Sequence, residues 1–179
     1  MSHFGVYKDD ELIIPCAVTE DIFHYGVHEG LAFSAWDINT SGDAWIVFRT
    51  PDSDTYLHVL WTLSAENNAT FSIHKGVTAQ AGGADAVAYP KNDATAMNGG
   101  ASSTIIAGNT STAANYQVGQ APSGLGTTVY GEFVATSGGT VNAAHEYVCD
   151  KNTWYGFQFA DIGTKDLGMT LTWFEVPIA

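Results

Sequence analysis

His24, His28 and Glu29 are the residues of this chain whose types and spacing most invite chemistry. Imidazole and carboxylate together can hold a divalent metal or serve as an acid–base pair. A metalloprotease helix arranges such ligands as H-E-x-x-H, so that both imidazoles face one ion and the glutamate acts as base. Here the order is H-x-x-x-H-E, with Tyr25, Gly26 and Val27 between the histidines and no helical pattern around them. On a strand, positions 24 and 28 would share a face but lie ~13 Å apart, too far for one ion. The triplet His28-Glu29-Gly30 therefore reads as the lead into an apolar strand starting at Leu31, and no metal is expected there.

The remaining reactive groups are weaker still. With 19 acidic residues some facing pair of carboxylates is inevitable, so the count does not argue for a glycosidase. Asp9-Asp10-Glu11 and the Asp52/Asp54 pair read as solvated turn or tail charges, or at most a weak calcium site, and neither matches a D-x-[DN]-x-[DN]-G calcium loop. Cys149 stands in Tyr-Val-Cys-Asp, and the chain has no G-x-S-x-G nucleophile elbow. Gly82-Gly83 and Gly99-Gly100 lack the order of a phosphate-binding loop. Cys16 and Cys149, far apart in the chain, read as reduced and buried rather than as a framework disulfide. The expectation is a protein without enzymatic activity and without a cofactor.

Whatever the side chains do, strands must position them. The 179 residues suit one domain with one substantial core, and 45% hydrophobic with 12% aromatic residues argues against disorder. Nineteen glycines, with many Ala, Thr, Ser and Asn, favour turns and strands over long helices. Only 14% of residues are charged, against about 25% in soluble domains, so Thr, Ser, Asn and Gly must carry much of the surface. A net charge of −13, with Arg49 the one arginine, disfavours nucleic acid and anionic membrane surfaces as partners. No apolar run approaches the ~20 residues of a membrane helix. The opening residues lack the apolar core of a secretory signal, which points to synthesis in the cytoplasm.

Residues 1–29 read as an irregular N-terminal arm or an edge strand, with Leu12-Ile13-Ile14 broken by Pro15. From 31 the pattern becomes strand after strand, at 31–38, 44–49, 56–63, 69–75, 128–135, 154–160 and 169–176. The clearest is 56–63, where Leu57, Val59, Trp61 and Leu63 alternate with Tyr56, His58, Leu60 and Thr62. In 69–75 Phe71 and Ile73 read as inward, and Thr70, Ser72 and His74 as outward. Residues 76–126 read as a long loop region with Val87, Tyr89 and Met97 as isolated anchors, apart from a brief strand at 103–107. Seven to nine strands make an all-β antiparallel sandwich, a single domain over 30–179, for which a jelly roll is the usual closure. The tryptophans, Trp36, Trp45, Trp61, Trp154 and Trp173, are spread one per strand. At least three are expected in the core; any that are exposed could stack on sugar rings.

Several of these segments together resemble a known class. His28-Glu29-Gly30 with Phe33, and Pro51-Asp52 before Tyr56-Leu57-His58, are among them. So are the stretch Phe71-Ser72-Ile73-His74-Lys75-Gly76-Val77-Thr78, the later Asn152-Thr153-Trp154-Tyr155-Gly156-Phe157, and the final Leu171-Thr172-Trp173-Phe174-Glu175. Over about 24–176 the pattern is similar to that of tailed-bacteriophage capsid decoration, or cement, proteins with a jelly-roll β-sandwich. Tyr89-Pro90-Lys91-Asn92-Asp93 stands where that pattern carries an Asn/Arg-rich stretch, so contacts of that stretch do not transfer. The resemblance implies a virion protein on the outside of the icosahedral head, cementing neighbouring major capsid protein subunits, often as a homotrimer. In that setting Phe4, Val6, Tyr7, Ile13 and Ile14 are the candidate partner-interface residues, because an exposed apolar cluster is otherwise a liability. Packing of these five on their own sandwich is the alternative. A carbohydrate-binding jelly-roll module of a tail or host-attachment protein is the alternative function.

Overall fold

The alternation at 56–63 lies inside one of the two longest described strands, each of 11 residues. In the computed structural model, residues 3–9, 12–18, 27, 31–40, 42–78, 84–91, 105, 115–134, 139–142, 146–161 and 166–177 are described. They form strands β1 (His3–Asp9), β2 (Leu12–Val18), β3 (Ala32–Asn39), β4 (Ala44–Arg49), β5 (Thr55–Ala65), β6 (Ala69–Lys75) and β7 (Ala84–Val87). These are followed by β8 (Tyr89–Pro90), β9 (Asn115–Val118), β10 (Thr127–Val134), β11 (Gly139–Asn142), β12 (Tyr147–Cys149), β13 (Trp154–Asp161) and β14 (Leu167–Pro177). The protein is an all-β antiparallel sandwich. Among the described residues no helix is long and apolar enough to cross a membrane.

One sheet has the order β11-β5-β14-β3-β8, with β12 also paired to β5; the other runs β10-β6-β13-β4-β9-β7. One set of pairings is nested, β3 with β14, β4 with β13, β5 with β11 and β12, and β6 with β10, while β14 also pairs with β5 and β13 with β6. Each early strand thus waits for a late one, and most of the fold is held by contacts distant in sequence.

Period-2 patterning sets the core. Leu57, Val59, Trp61 and Leu63 of β5 are buried with Phe33 and Ala35 of β3 and Met169, Leu171 and Trp173 of β14. Facing them are Ile46 and Phe48 of β4, Phe71 and Ile73 of β6, and Tyr155, Phe157 and Phe159 of β13. The nearly continuous apolar run of β4 has a separate cause. Its alternate residues Trp45 and Val47 form a second small cluster with Val77, packed by Trp154, so β4 is covered on both faces.

Polar ties cross the layers at the sandwich's edges. The Trp61 indole N–H of β5 donates to Glu132 Oε1 of β10 at 2.9 Å, and the Tyr130 hydroxyl donates to Glu132 Oε2 at 3.0 Å. Toward the β9 side, the Tyr116 hydroxyl donates to Trp36 O and accepts from Trp36 N, each at 3.3 Å. Asp37, 8% exposed, accepts through Oδ2 from Trp45 N at 2.8 Å and Gly119 N at 3.2 Å.

Three expectations are corrected. The described residues hold 14 strands, against the seven to nine expected, because several are short pieces added at the sheet edges. The lead-in is regular where it is described: β1 and β2 pair antiparallel along their whole length, Pro15 opposite Val6. The region 76–126 is not one loop, since β7, β8 and β9 lie in it; of the strand expected at 103–107, only Ile105, buried, is described.

Asp37 gives the first testable consequence. Burial raises its carboxyl above the usual carboxylate range, and the N–H donors of Trp45, Gly119 and Ile38 offset this only in part. Because Oδ2 accepts the bonds from Trp45 and Gly119, Oδ1 can take the proton without breaking either. A raised folded-state value means the native chain holds this proton more tightly than the unfolded chain. Asp37 should therefore contribute most stability below its unfolded value near 3.8 and lose it as pH rises through the raised folded value. In urea unfolding across this range, wild type should lose stability relative to Asp37→Asn as pH rises. A difference that grows in the opposite direction would sink the assignment.

Candidate functional site

The five apolar candidates sit on the β1–β2 ribbon. Its register pairs Tyr7 with Ile14 directly, and places Phe4 opposite Ala17, Val6 opposite Pro15, and Ile13 opposite Lys8. Phe4, Val6 and Ile13 share one register parity, Tyr7 and Ile14 the other. Among the described residues the ribbon is a two-stranded sheet of its own, with no strand pairing to either sheet of the sandwich. His24, His28, Glu29, Asp10, Glu11, Gly82, Gly83, Gly99, Gly100 and Met97 lie outside the described residues.

Among the described residues, no three His, Cys, Asp or Glu side chains gather as a metal site would require. Asp54 is exposed and pairs with Lys151 Nζ at 2.8 Å, which holds its carboxyl below the usual range. Cys149 is a free thiol buried in the core, and burial pushes its pKa well above that of an exposed thiol, away from the thiolate a nucleophile needs. One shallow depression of about 320 Å³ lies at an end of the sandwich, lined by Ile38, Ser64, Glu66, Thr140, Asp166 and Gly168 among others.

His74 was expected to face outward, and its strand does turn it away from the core. It is nevertheless only 5% exposed, because the Trp45 ring lies across it at 5.6 Å. Its Nε2 lies 3.1 Å from Gln158 Oε1, and its Nδ1 3.2 Å from Thr128 Oγ1. Gln158 in turn donates to Asp43 Oδ2 at 2.7 Å. Both ring nitrogens thus have a hydrogen-bonding neighbour on an adjoining strand. The ring is a structural tie across β10, β6 and β13.

Of the five tryptophans, Trp45, Trp61 and Trp173 are buried, Trp154 is half-buried beneath Arg49, and Trp36 is 43% exposed. Sequence reasoning missed the partner of Trp36. Tyr89, expected as an anchor, is 51% exposed and stacks on the Trp36 ring at 4.8 Å between centroids and 27° between planes. The stack follows from β8 joining the edge of β3, with Tyr89 opposite Ser34 and Trp36 two residues along. Ile38, further along the same face, is exposed as well. Tyr116 and Gln117 of β9 were also missed, although Asn-Tyr-Gln-Val carries a short alternation that could have signalled a strand.

Two surfaces are thus candidates for function: the apolar ribbon and the Trp36–Tyr89 stack. No protein-family model, curated protein or solved structure matches this chain.

Proposed function

We propose that this is a structural virion protein of a tailed phage, a decoration protein that lies on the outside of the head and cements neighbouring major capsid subunits. The observation that carries the reading is the separate β1–β2 ribbon, rich in apolar residues, attached to a sandwich whose described surface is largely uncharged. An isolated two-stranded ribbon is at best marginal in water, so it gains stability by lying on another surface. A subunit of the shell would supply that surface, and the sandwich would act as the rigid body that the arm ties down. The nested pairing of β3 with β14, β4 with β13, β5 with β11 and β12, and β6 with β10 fits a jelly roll, the fold expected of this class. A trimer on local three-fold positions accords with the same reading.

The experiment adds purified protein to expanded heads assembled without it. Binding should be saturable and should raise the temperature at which the heads release DNA. A full-length variant carrying Val6→Ala, Ile13→Ala and Ile14→Ala should bind at least tenfold more weakly. If wild type does not bind such heads, the reading fails; if the variant binds as wild type does, the ribbon is not the contact.

A further inference from the structure

We propose that Trp36 and Tyr89 form a binding platform for a neutral oligosaccharide, a property separate from attachment to a capsid. Both rings are about half exposed and nearly parallel, which leaves aromatic face and edge open to a ligand. The face of an aromatic ring carries negative quadrupole charge, and it attracts the slightly positive axial C–H groups on one side of a pyranose.

The neighbouring strands supply what a sugar's edge requires. In register, Trp36 pairs with Thr170 of β14, which pairs with Thr62 of β5; Ser34 pairs with Thr172 in the next row. Thr170, Thr62 and Thr172 share the outer face of the sheet with Trp36, on strands ~4.8 Å apart, whereas Ser34 is buried and offers a ligand nothing. A threonine hydroxyl both donates and accepts, so it can match a sugar hydroxyl in either role. An aromatic pair beside rows of hydroxyls is suited to a ligand with apolar faces and polar edges.

Size and charge choose between occupants. The two rings together expose about 200 Å² of surface, given what such side chains bury in full. A stable protein–protein contact needs about 800 Å² from each partner. The platform is therefore small for a protein and adequate for one or two sugar rings. A net charge of −13 repels anionic ligands at long range, and the single exposed cation next in sequence, Lys91, does not reverse it. The ligand is accordingly a neutral saccharide rather than a sialylated, phosphorylated or uronic one.

The test probes a printed array of neutral and acidic oligosaccharides with labelled full-length protein, followed by titration of the strongest glycan. A neutral glycan should bind with a micromolar to millimolar Kd. Trp36→Ala and Tyr89→Ala should each weaken it at least tenfold, Tyr89→Phe less than threefold, and Thr170→Val by an intermediate factor. Thermal unfolding of each variant reports whether it has folded, and Tyr89→Ala, on a two-residue edge strand, serves if Trp36→Ala does not fold. No glycan above background, signal confined to acidic glycans, or binding retained in the folded alanine variants would each overturn the proposal. Binding to heads is measured separately, so failure of either reading leaves the other standing.

Discussion

Trp173→Ala should cost about 3–5 kcal/mol of unfolding free energy, the largest loss expected from any single truncation in the described core. Trp173 is fully buried on the inner face of β14, the strand held between β5 and β3. Its ring contacts Phe33 of its own sheet at 6.1 Å and Phe48 of the facing sheet at 5.8 Å. Phe48 in turn stacks on Phe157 at 5.4 Å, so one indole links four strands in two layers. Removing it opens a cavity that close-packed neighbours on both sides cannot fill without moving strands. It also removes the indole N–H that donates to the buried Glu175 at 3.4 Å. For a chain of this size each kcal/mol corresponds to about 2–4 °C, so Tm should fall by roughly 10 °C. Exposed Trp36→Ala, on the other face of the same sheet, should change stability by less than about 1 kcal/mol. Urea unfolding of the two variants decides the matter; equal losses would mean that the outer face carries as much of the fold as the core.

The same contrast explains what could be read from the sequence. A strand with one face in the core announces itself, because burial demands an apolar residue at every second position. This is why 56–63 and 69–75 were legible, whereas 44–49 was legible as β4 through its nearly continuous apolar run. Trp36 was not legible as outward: it alternates with Phe33 and Ala35, but Ala32 and Ser34, which share its parity, are themselves buried. Nor were the edge strands legible. Ala-Asp-Ala-Val in β7 and Gly-Thr-Val-Asn in β11 carry almost no apolar signal, and each exists because an already formed neighbour offers unpaired backbone groups. Pro15 misled for a related reason. In a two-stranded ribbon alternate N–H groups point away from the partner, and proline can take such a place without ending the strand.

The candidate surfaces divide along the same line. The apolar ribbon residues were visible as a composition anomaly near the start of the chain, whereas the platform needs a pairing between β3 and a two-residue strand more than fifty positions later. Local pattern can assign a ring to one face of its strand. It cannot say which second ring the fold will lay beside it.

Gly126→Ala should destabilise the sandwich by about 3 kcal/mol, although the position is exposed, while Gly76→Ala should cost only ~1 kcal/mol. Both glycines adopt the left-handed backbone region, with φ of 62° at Gly126 and 73° at Gly76, so both substitutions carry the same conformational penalty. Their surroundings differ. A Cβ at Gly76 would meet nothing within 4 Å, but one at Gly126 would lie 2.2 Å from the Lys75 carbonyl oxygen and 2.7 Å from the carbonyl of Gly76. Those are backbone atoms at the end of β6, where Thr127 begins the pairing of β10 with Lys75. They cannot swing aside as a side chain would, so the clash must be relieved by separating the two strands where they join. Loss should therefore appear as faster hydrogen exchange at the Thr127 end of β10 as well as a lower unfolding midpoint. Similar costs for the two variants would show that backbone conformation alone, and not the close approach of Gly126 to β6, sets the requirement for glycine at this corner.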